Sequence, residues 1–294
     1  MAAVQKKWSL FDIILTAVMV LSIIVTIYPV YYIFINSFSG SAAVASNSVL
    51  LYPKDINFAA YKVVFQDESI VRSFGNSIFY TVAGTIINVV LTAMCAYPLS
   101  RKDLYGKGFF VAIIMFTMFF SGGIIPLFLT ISNLHLYNTI WAVMLPSAIS
   151  VYNVIVMRTF FQGLPYELTE SAYIDGANDI YIFCRIILPL SMPIIATMTL
   201  FYGVGNWNSF YNALMFLSDK IKYPVQLVLR SIVLDGATGD LAFAVGSESA
   251  SSSNIDTRSI KYAVIAVTTL PVMVIYPFVF KYFEKGVMIG SVKG

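Results

Sequence analysis

The chain has 294 residues, of which 59% are hydrophobic and 11% are charged, with a formal net charge of +3. Its mean hydropathy is +0.80, and so much apolar surface cannot all be buried in one water-soluble core. The composition therefore excludes an ordinary soluble domain and favours a bilayer as the solvent. The small positive charge is spread along the chain and gives no reason to expect nucleic acid as a partner.

Six apolar stretches are each long enough to cross a bilayer, which takes about 20 residues per helix. None shows the alternation of a strand, so the predicted fold class is an all-α integral membrane protein with six transmembrane helices. The first stretch is too long for the apolar part of a signal peptide and is interpreted as a retained span. The stretches are Leu10–Ser37, Phe74–Leu99, Phe109–Ile131, Thr139–Phe161, Ile186–Trp207 and Ile260–Phe283.

The Lys and Arg residues near the span ends indicate the orientation, because cytoplasmic segments carry an excess of both. With the N-terminus inside, ten of them lie on the cytoplasmic side and eight outside. The short basic segments, which weigh most, are the N-terminal tail, the turn at 101–107 and the C-terminal tail. An N-in, C-in orientation is therefore predicted.

Three parts are predicted along the chain. Residues 1–72 form an N-terminal span with an outer loop, residues 73–283 form a core of five spans, and residues 284–294 form a cytoplasmic tail. Helix breakers interrupt several spans, and such breaks either kink a helix or line a pathway. The breakers are Gly122, Gly123 and Pro126 in the third span, Pro189, Pro193, Gly203 and Gly205 in the fifth, and Pro271 and Pro277 in the sixth.

Motifs for nucleotide binding, metal binding and nucleophilic catalysis are missing from the sequence. The sequence has no phosphate-binding loop, no HExxH and no Cys/His cluster with metal spacing. His135 is the only histidine and lies in a short predicted outer turn, so no Ser/His/Asp set can be argued. The predicted spans hold almost no ionisable side chain, whereas ion-coupled carriers usually need one. No catalytic residue, no metal site and no cofactor bound by this chain are expected, and an energy source outside the chain is favoured.

The segment ESAYIDGANDIYIFCRIILPL, from Glu170 to Leu190, is unusually acidic for this chain. A short helix is predicted from Pro165 to about Asp175, since proline suits a first turn and acidic residues suit the positive end of a helix dipole. Gly176 and Asn178 supply a stop. A helix this short and polar lies on the cytoplasmic face, either as a docking helix for another protein or as an ordinary loop.

The spacing within this segment matches a known signature. Glu170-Ser171-Ala172, then Gly176 after three residues, Ile186 after nine more, and Leu188-Pro189 follow the EAA pattern of permease subunits in bacterial ABC importers; only Ser171 departs from it. The chain resembles that family, which implies a type I ABC importer permease fold with a cytoplasmic coupling helix that docks into an ATP-binding subunit. The coupling residues so implied are Glu167, Glu170, Ser171, Ala172, Asp175, Gly176, Ala177, Leu188 and Pro189.

Further motifs are similar to those of carbohydrate permeases, in particular the shorter permease of a maltose-type pair. They are IDGAND in the same segment, NSIFYTV at Asn76–Val82, WNSFYNAL at Trp207–Leu214 and GVMIGSVKG at the end of the chain. SGGIIP at Ser121–Pro126 and the terminal motif resemble the subgroup of importers for alginate, rhamnogalacturonan and aldouronate-type oligosaccharides.

This resemblance implies a transport subunit rather than an enzyme, located as a multi-pass protein in the bacterial cytoplasmic membrane. It would import oligosaccharides, uronate-containing or derived from complex polysaccharides, by alternating access. The implied partners are a second permease, two ATP-binding subunits that bind ATP and Mg, an extracytoplasmic sugar-binding protein, the oligosaccharide and membrane lipid. An ABC permease for a different solute, an ion-coupled carrier and a membrane-embedded enzyme are the alternatives.

Two further groups of residues are candidates within this resemblance. Trp207, Asn208, Tyr211 and Asn212 either line the sugar path or belong to an interfacial aromatic belt. The C-terminal tail is either a frayed end or, as in the related maltose-type permease, reaches between the ATP-binding subunits. The tail residues concerned are Gly290, Ser291, Val292, Lys293 and Gly294.

Overall fold

The computed structural model describes residues 9–235 and 256–291, with the side chains of 235, 276 and 278–291 excepted. The regular elements in these ranges are all helical. The α-helices are α1 Leu10–Ser37, α2 Ser41–Ala45, α3 Ala59–Gln66, α4 Glu68–Ser100, α5 Lys107–Phe119, α6 Ile124–Asn133, α7 Ile140–Met144, α8 Val151–Gln162, α9 Glu167–Ile174, α10 Asp179–Ile182, α11 Leu188–Leu190, α12 Met192–Asn208, α13 Tyr211–Phe216, α14 Val225–Asp235 and α15 Thr257–Ser291. A π-helical turn, Phe183–Ile187, joins α10 to α11, and 3-10 turns cover Leu145–Ser147 and Lys220–Lys222.

The chain divides into two compact units. One unit combines Met1–Glu68 with Ser231–Thr269, and the other combines Ser69–Arg230 with Leu270–Gly294. The first unit contains α1, α2 and α3, whereas the second contains nearly all of α4 and every helix from α5 to α13. The division into 1–72, 73–283 and 284–294 stays a prediction.

Helix α1 has the bounds of the first predicted span. It begins at Leu10 because Ser9 and Asp12 cap it: the Ser9 side chain accepts from the Phe11 N–H at 3.4 Å, and the Asp12 carboxylate accepts from the Ser9 N–H at 3.0 Å. Helix α1 is long and apolar enough to cross a membrane as a single helix, and the same is true of α4 and of residues Thr257–Ile275 of α15.

The third, fourth and fifth predicted spans are bent. The sequence predicts helix breakers in the third and the fifth, whereas it predicts no break in the fourth. Helices α5 and α6 meet at 113°, the helical segment Ile140–Ser147 meets α8 at 53°, and Asp179–Leu190 meets α12 at 81°. By length and composition, the described part of the chain therefore holds three membrane-spanning helices, or up to six if each bent pair is one span. The predicted number of six is the upper bound.

Two of the three bends have identifiable backbone causes. At the first, Gly123 takes a φ of +87°, a conformation that other residues rarely adopt. At the third, Pro193 has no N–H, so the carbonyl of Pro189 has no helical donor four residues later. The fifth predicted span begins at Ile186, which lies in the helical segment Asp179–Leu190 before this bend.

The apolar core of the second unit lies between α4, α8 and the helices from α9 to α12. Ala96, Val154, Met157, Ile182 and Met198 are all completely buried there. Ala172 of α9 and Ile187 of the π-turn pack into the same cluster. The acidic segment is therefore anchored on the core by its apolar side chains, which leaves its polar side chains free to face outward.

Candidate functional site

Helix α9 is the short helix predicted in the acidic segment. It spans Glu167–Ile174, slightly shorter than predicted, because Pro165 precedes the N-cap residue Tyr166 and Asp175 is the C-cap. Glu167 and Glu170 lie in its first turn, at the positive end of the helix dipole.

The C-terminus of α9 is a Schellman motif. The Ala177 N–H donates to the Ala172 carbonyl at 2.9 Å, and the Gly176 N–H donates to the Tyr173 carbonyl at 3.0 Å. Gly176 has a φ of +81°, which this motif requires at that position. Asn178 then caps α10 by accepting from the Tyr181 N–H at 2.8 Å. The predicted stop at Gly176 and Asn178 thus agrees with the local backbone.

The predicted coupling residues divide between two surfaces of the segment. Ala172 is buried, Ala177 and Leu188 are half-buried, and all three pack on the core of the second unit. The remaining predicted residues are exposed, together with Ile174, whose side chain is 87% exposed. The exposed set is Glu167, Glu170, Ser171, Asp175, Gly176 and Pro189.

Arg101 connects the end of α4 to this segment. Its guanidinium donates to both carboxylate oxygens of Asp103, at 2.9 and 2.8 Å, and to Asp179 at 3.1 Å. It also donates to the Tyr97 hydroxyl at 3.1 Å and lies 5.3 Å from the ring centre of Tyr173. Tyr173 in turn donates its hydroxyl to Asp179. We call Tyr97, Arg101, Asp103, Tyr173 and Asp179 the arginine cluster.

The arginine cluster shifts the ionisation of its members. Hydrogen bonds from Arg101 hold the pKa of Asp103 below its usual value, and the same pairing raises the pKa of Arg101. The pKa of Tyr173 is raised, first by burial and then by its hydrogen bond to Asp179. The shifts in the pKa values of Arg101 and Asp103 thus both favour the charged form of this pair.

A second polar site surrounds the break between α7 and α8. Asn88 of α4 donates to the carbonyls of Ser147 and Ala148, at 2.6 and 3.0 Å. The Ser150 N–H donates to the Tyr202 hydroxyl at 3.0 Å, and that hydroxyl lies 2.6 Å from the Thr92 hydroxyl. Side chains from α4 and α12 thus satisfy backbone groups that a continuous helix would have paired internally.

Asn206 of α12 ties this network together. Its amide donates to Asn88 at 3.1 Å and to Thr85 at 3.2 Å. Gly84 makes the approach possible, because a Cβ added there would lie 3.0 Å from the Asn206 amide nitrogen.

A cavity of about 880 Å³ adjoins this network. Its polar lining comes from Ser147, Ser150, Tyr152, Asn153, Tyr202, Asn206 and Ser209, and the described residues around it include no charged side chain. Hydroxyls, amides and aromatic rings are the groups that bind sugars by hydrogen bonding and stacking.

The four residues predicted for the sugar path are not among the described residues that line this cavity. Trp207 is buried against Phe74, with ring centres 6.3 Å apart. Asn208 donates to the Val204 carbonyl at 3.0 Å, and Asn212 donates to Ser147 at 3.0 Å. Tyr211 is 53% exposed. The assignment of these four to the sugar path stays a prediction.

The predicted tail site lies largely outside the residues that the structure describes. Helix α15 continues through Gly290 and ends at Ser291. Val292, Lys293 and Gly294 lie outside the described residues, as do the side chains of the preceding turns.

Sequence reasoning missed Arg101, Asn88, Tyr202 and Asn206. From the sequence, Arg101 is only one of the charges that indicate the orientation of the chain. A signal for the amides was present, because Asn88 and Asn206 lie in apolar spans, where a polar side chain needs a partner.

Comparison with known proteins identifies relatives along nearly the whole chain. Residues 88–289 match the family described as binding-protein-dependent transport system inner membrane component. Protein LplC of Bacillus subtilis is 44% identical over 270 residues, which is 92% of this chain and 90% of that protein. The polygalacturonan/rhamnogalacturonan transport system permease protein YtcP of the same organism is 42% identical over 290 residues, covering 98% and 100%.

A solved structure is similar to the whole fold. It is a chain of a bacterial ABC transporter involved in the import of the acidic polysaccharide alginate. The TM-score is 0.88 at 32% identity, and the match covers 95% of this chain and 100% of that chain.

Proposed function

The chain belongs to the family of binding-protein-dependent transport system inner membrane components, and from this premise we propose that it imports oligosaccharides released from complex or uronate-containing polysaccharides. It acts as a permease subunit of an ATP-driven importer in the bacterial cytoplasmic membrane and performs no chemical reaction itself. The observation that carries the substrate class is the 42% identity, over 98% of the chain, to a permease named for polygalacturonan and rhamnogalacturonan. The likeness to the alginate importer points to the same class of sugars.

The cavity beside the α7–α8 break supports a sugar path. Seven polar residues and the ring of Phe201 surround a space of about 880 Å³, which falls in the usual range of ligand cavities. The lining contributed by the described part of this chain is neutral, so it suits sugar hydroxyls. A countercharge for the carboxylates of an acidic sugar would come from the second permease.

The acidic segment supports coupling to ATP hydrolysis. Glu167 and Glu170 of α9 and its C-cap Asp175 are exposed, while Ala172 fixes the helix to the core. The arginine cluster fastens the end of α9, at Tyr173, and the start of α10, at Asp179, to the end of α4, so a force on α9 would move these helices together. In this proposal ATP-driven closure of the two ATP-binding subunits pulls α9, and six spans, N-in and C-in, alternate between inward-open and outward-open states.

The test is uptake by the importer assembled from this chain, its second permease, the ATP-binding subunits and the binding protein in proteoliposomes. Galacturonate- and rhamnogalacturonan-derived oligosaccharides should accumulate only with ATP, whereas maltooligosaccharides of equal length should not. Uptake of the maltooligosaccharides alone would overturn the substrate class. Uptake that persists without ATP and collapses with an ionophore would overturn the ATP-driven mechanism in favour of an ion-coupled carrier.

A further inference from the structure

Helix α1 changes its surroundings along its length. From Leu10 to Tyr31 nearly every side chain is exposed, whereas Ile35, Asn36 and Ser37 are buried. The hydroxyls of the exposed part do not need an outside partner. Thr16, Ser22 and Thr26 each donate to the carbonyl four residues earlier, at 2.7, 2.8 and 2.8 Å. Beyond Asp12, which lies in the first turn of α1 and caps Ser9, this part of the helix can therefore face hydrocarbon without an unsatisfied polar side chain.

The loop after α2 turns back along α1. The Tyr28 hydroxyl donates to the Leu50 carbonyl at 3.3 Å, and the Tyr31 hydroxyl donates to the Leu51 carbonyl at 2.5 Å. These tyrosines lie nine and six residues before the end of α1 at Ser37, which is roughly 9 to 14 Å along the helix axis.

The chain then returns to the end of α1. The Lys54 N–H donates to the Ser39 hydroxyl at 3.1 Å, and the Lys54 carbonyl accepts from the Gly40 N–H at 3.0 Å. Residues Leu50–Tyr52 are therefore the point of the loop that lies farthest back along α1. We call Leu50–Tyr52 the loop tip.

The loop tip is apolar and largely exposed. Leu50, Leu51 and Tyr52 are 59%, 66% and 66% exposed, while the preceding Val49 is completely buried and anchors the loop. Residues 46–53 contain no charged side chain, and the first charged pair, Lys54 and Asp55, follows where the chain has returned to the end of α1.

The length of α1, compared with the thickness of the hydrocarbon core, indicates where the membrane boundary lies along this helix. Its 28 residues extend about 42 Å, which exceeds the hydrocarbon thickness of about 30 Å. The part from Leu10 to Tyr28 extends about 28 Å and by itself matches that thickness. Tyr28, Tyr31 and Tyr52 then lie at the boundary, where tyrosines are favoured.

We propose that the loop tip inserts into the lipid interface on the side of the membrane where α1 ends. The partner is the boundary between acyl chains and headgroups, which takes Leu50 and Leu51 into its apolar part and leaves the Tyr52 hydroxyl near water. The hydrogen bonds from Tyr28 and Tyr31 satisfy tip carbonyls that would otherwise lose water. A soluble binding protein would instead meet surfaces beyond the end of α1. The proposal rests on the membrane location of the chain but not on what it transports.

Site-specific probes on the assembled importer in phospholipid nanodiscs test this insertion. With Cys95→Ala and Cys184→Ser as background, an environment-sensitive fluorophore is attached to Leu51→Cys or, as a matched control, to Ile56→Cys. Both native side chains are 66% exposed, but Ile56 follows the return to the end of α1. The Leu51 probe should show blue-shifted emission and lose fluorescence to a quencher carried on the lipid, whereas the Ile56 probe should respond to aqueous iodide.

A second position guards against local distortion. A probe at Tyr52→Cys should behave like the Leu51 probe in variants that retain full expression and assembly. Equal iodide quenching at Leu51 and Ile56 would overturn the proposal, and so would shielding of the Leu51 probe only after the binding protein is added. The fluorescence measurements do not depend on sugar uptake. A failure of the proposed transport function can therefore be distinguished from a failure of the proposed insertion.

Discussion

Arg101 joins side chains that are far apart in the sequence, since its partner Asp179 lies 78 positions away. The guanidinium side chain is only 12% exposed, whereas the carboxylates of Asp103 and Asp179 are 61% and 68% exposed. Because exposed ion pairs contribute little free energy by themselves, the contribution of the arginine cluster to stability depends more on the geometry of its hydrogen bonds than on charge attraction.

We expect Arg101→Lys to weaken coupling. A lysine keeps the charge but cannot donate to Asp103 through two nitrogens while also reaching Asp179. We expect the free energy of unfolding to fall by about 1 kcal/mol, below the usual range for hydrogen bonds to charged groups, because both carboxylates are solvated. Sugar uptake per ATP hydrolysed should fall as well. Thermal unfolding in detergent and coupled uptake assays measure the two effects.

Arg185→Lys is the matched control for Arg101→Lys, since it makes the same change at an exposed arginine within the acidic segment. It should leave both quantities unchanged. If Arg101→Lys and Arg185→Lys behave alike, the arginine cluster does not hold the segment.

Gly84 tests the packing of α4 on α12. Alanine in a helix is favoured over glycine by roughly 0.5–1 kcal/mol, but overpacking costs roughly 1–3 kcal/mol. The new methyl group would lie 3.0 Å from the Asn206 amide nitrogen, and this amide is held by two hydrogen bonds. We therefore expect Gly84→Ala to lower the free energy of unfolding by about 1 kcal/mol.

Gly75→Ala is the matched control, because Gly75 lies on the same helix and no atom lies within 4 Å of the added Cβ. It should raise the free energy of unfolding by roughly 0.5–1 kcal/mol. Thermal or denaturant unfolding of both variants in one detergent decides the matter. A stabilising Gly84→Ala would mean that Asn206 can move away without loss.

At the scale of elements, the turn after α9 sets the direction in which the acidic segment continues. No atom lies within 4 Å of a Cβ added at Gly176, so the glycine is needed for its φ of +81° and not for space. We expect Gly176→Val to cost roughly 1–2 kcal/mol locally and to reduce uptake, because a β-branched residue resists a left-handed backbone.

Asparagine tolerates the left-handed region, so Gly176→Asn should retain most of the uptake. Membrane levels of both variants, measured by quantitative blotting, control for insertion. Equal uptake by the two variants would show that the orientation of α9 does not depend on this turn.

At the scale of the whole molecule, the division of labour between subunits is the main prediction. The isolated chain should release no phosphate from ATP, since the sequence contains no phosphate-binding loop. Hydrolysis should begin only when ATP-binding subunits are added. Phosphate release by the purified chain that survives removal of contaminating ATPases would contradict this division.

The sequence by itself determined the features that depend on neighbouring residues. Long apolar runs identified the first span with its observed bounds, Gly123 marked a break, and Gly176 marked the end of α9. The spacing from Glu170 to Pro189 identified the family, now supported by relatives along the chain. Hydropathy, capping and positive φ act within a few residues, so they can be read from a local pattern.

Only the tertiary structure decided which distant groups meet. Arg101 could have paired with any nearby carboxylate, and the contact between Asn88 and Asn206 joins residues 118 positions apart. The bend angles at the three breaks were equally hidden, because a breaker shows where a helix stops but packing sets the direction in which the chain continues. Polar side chains in apolar spans need partners, but many pairings satisfy the same hydrogen-bonding capacity, and the fold selects one of them.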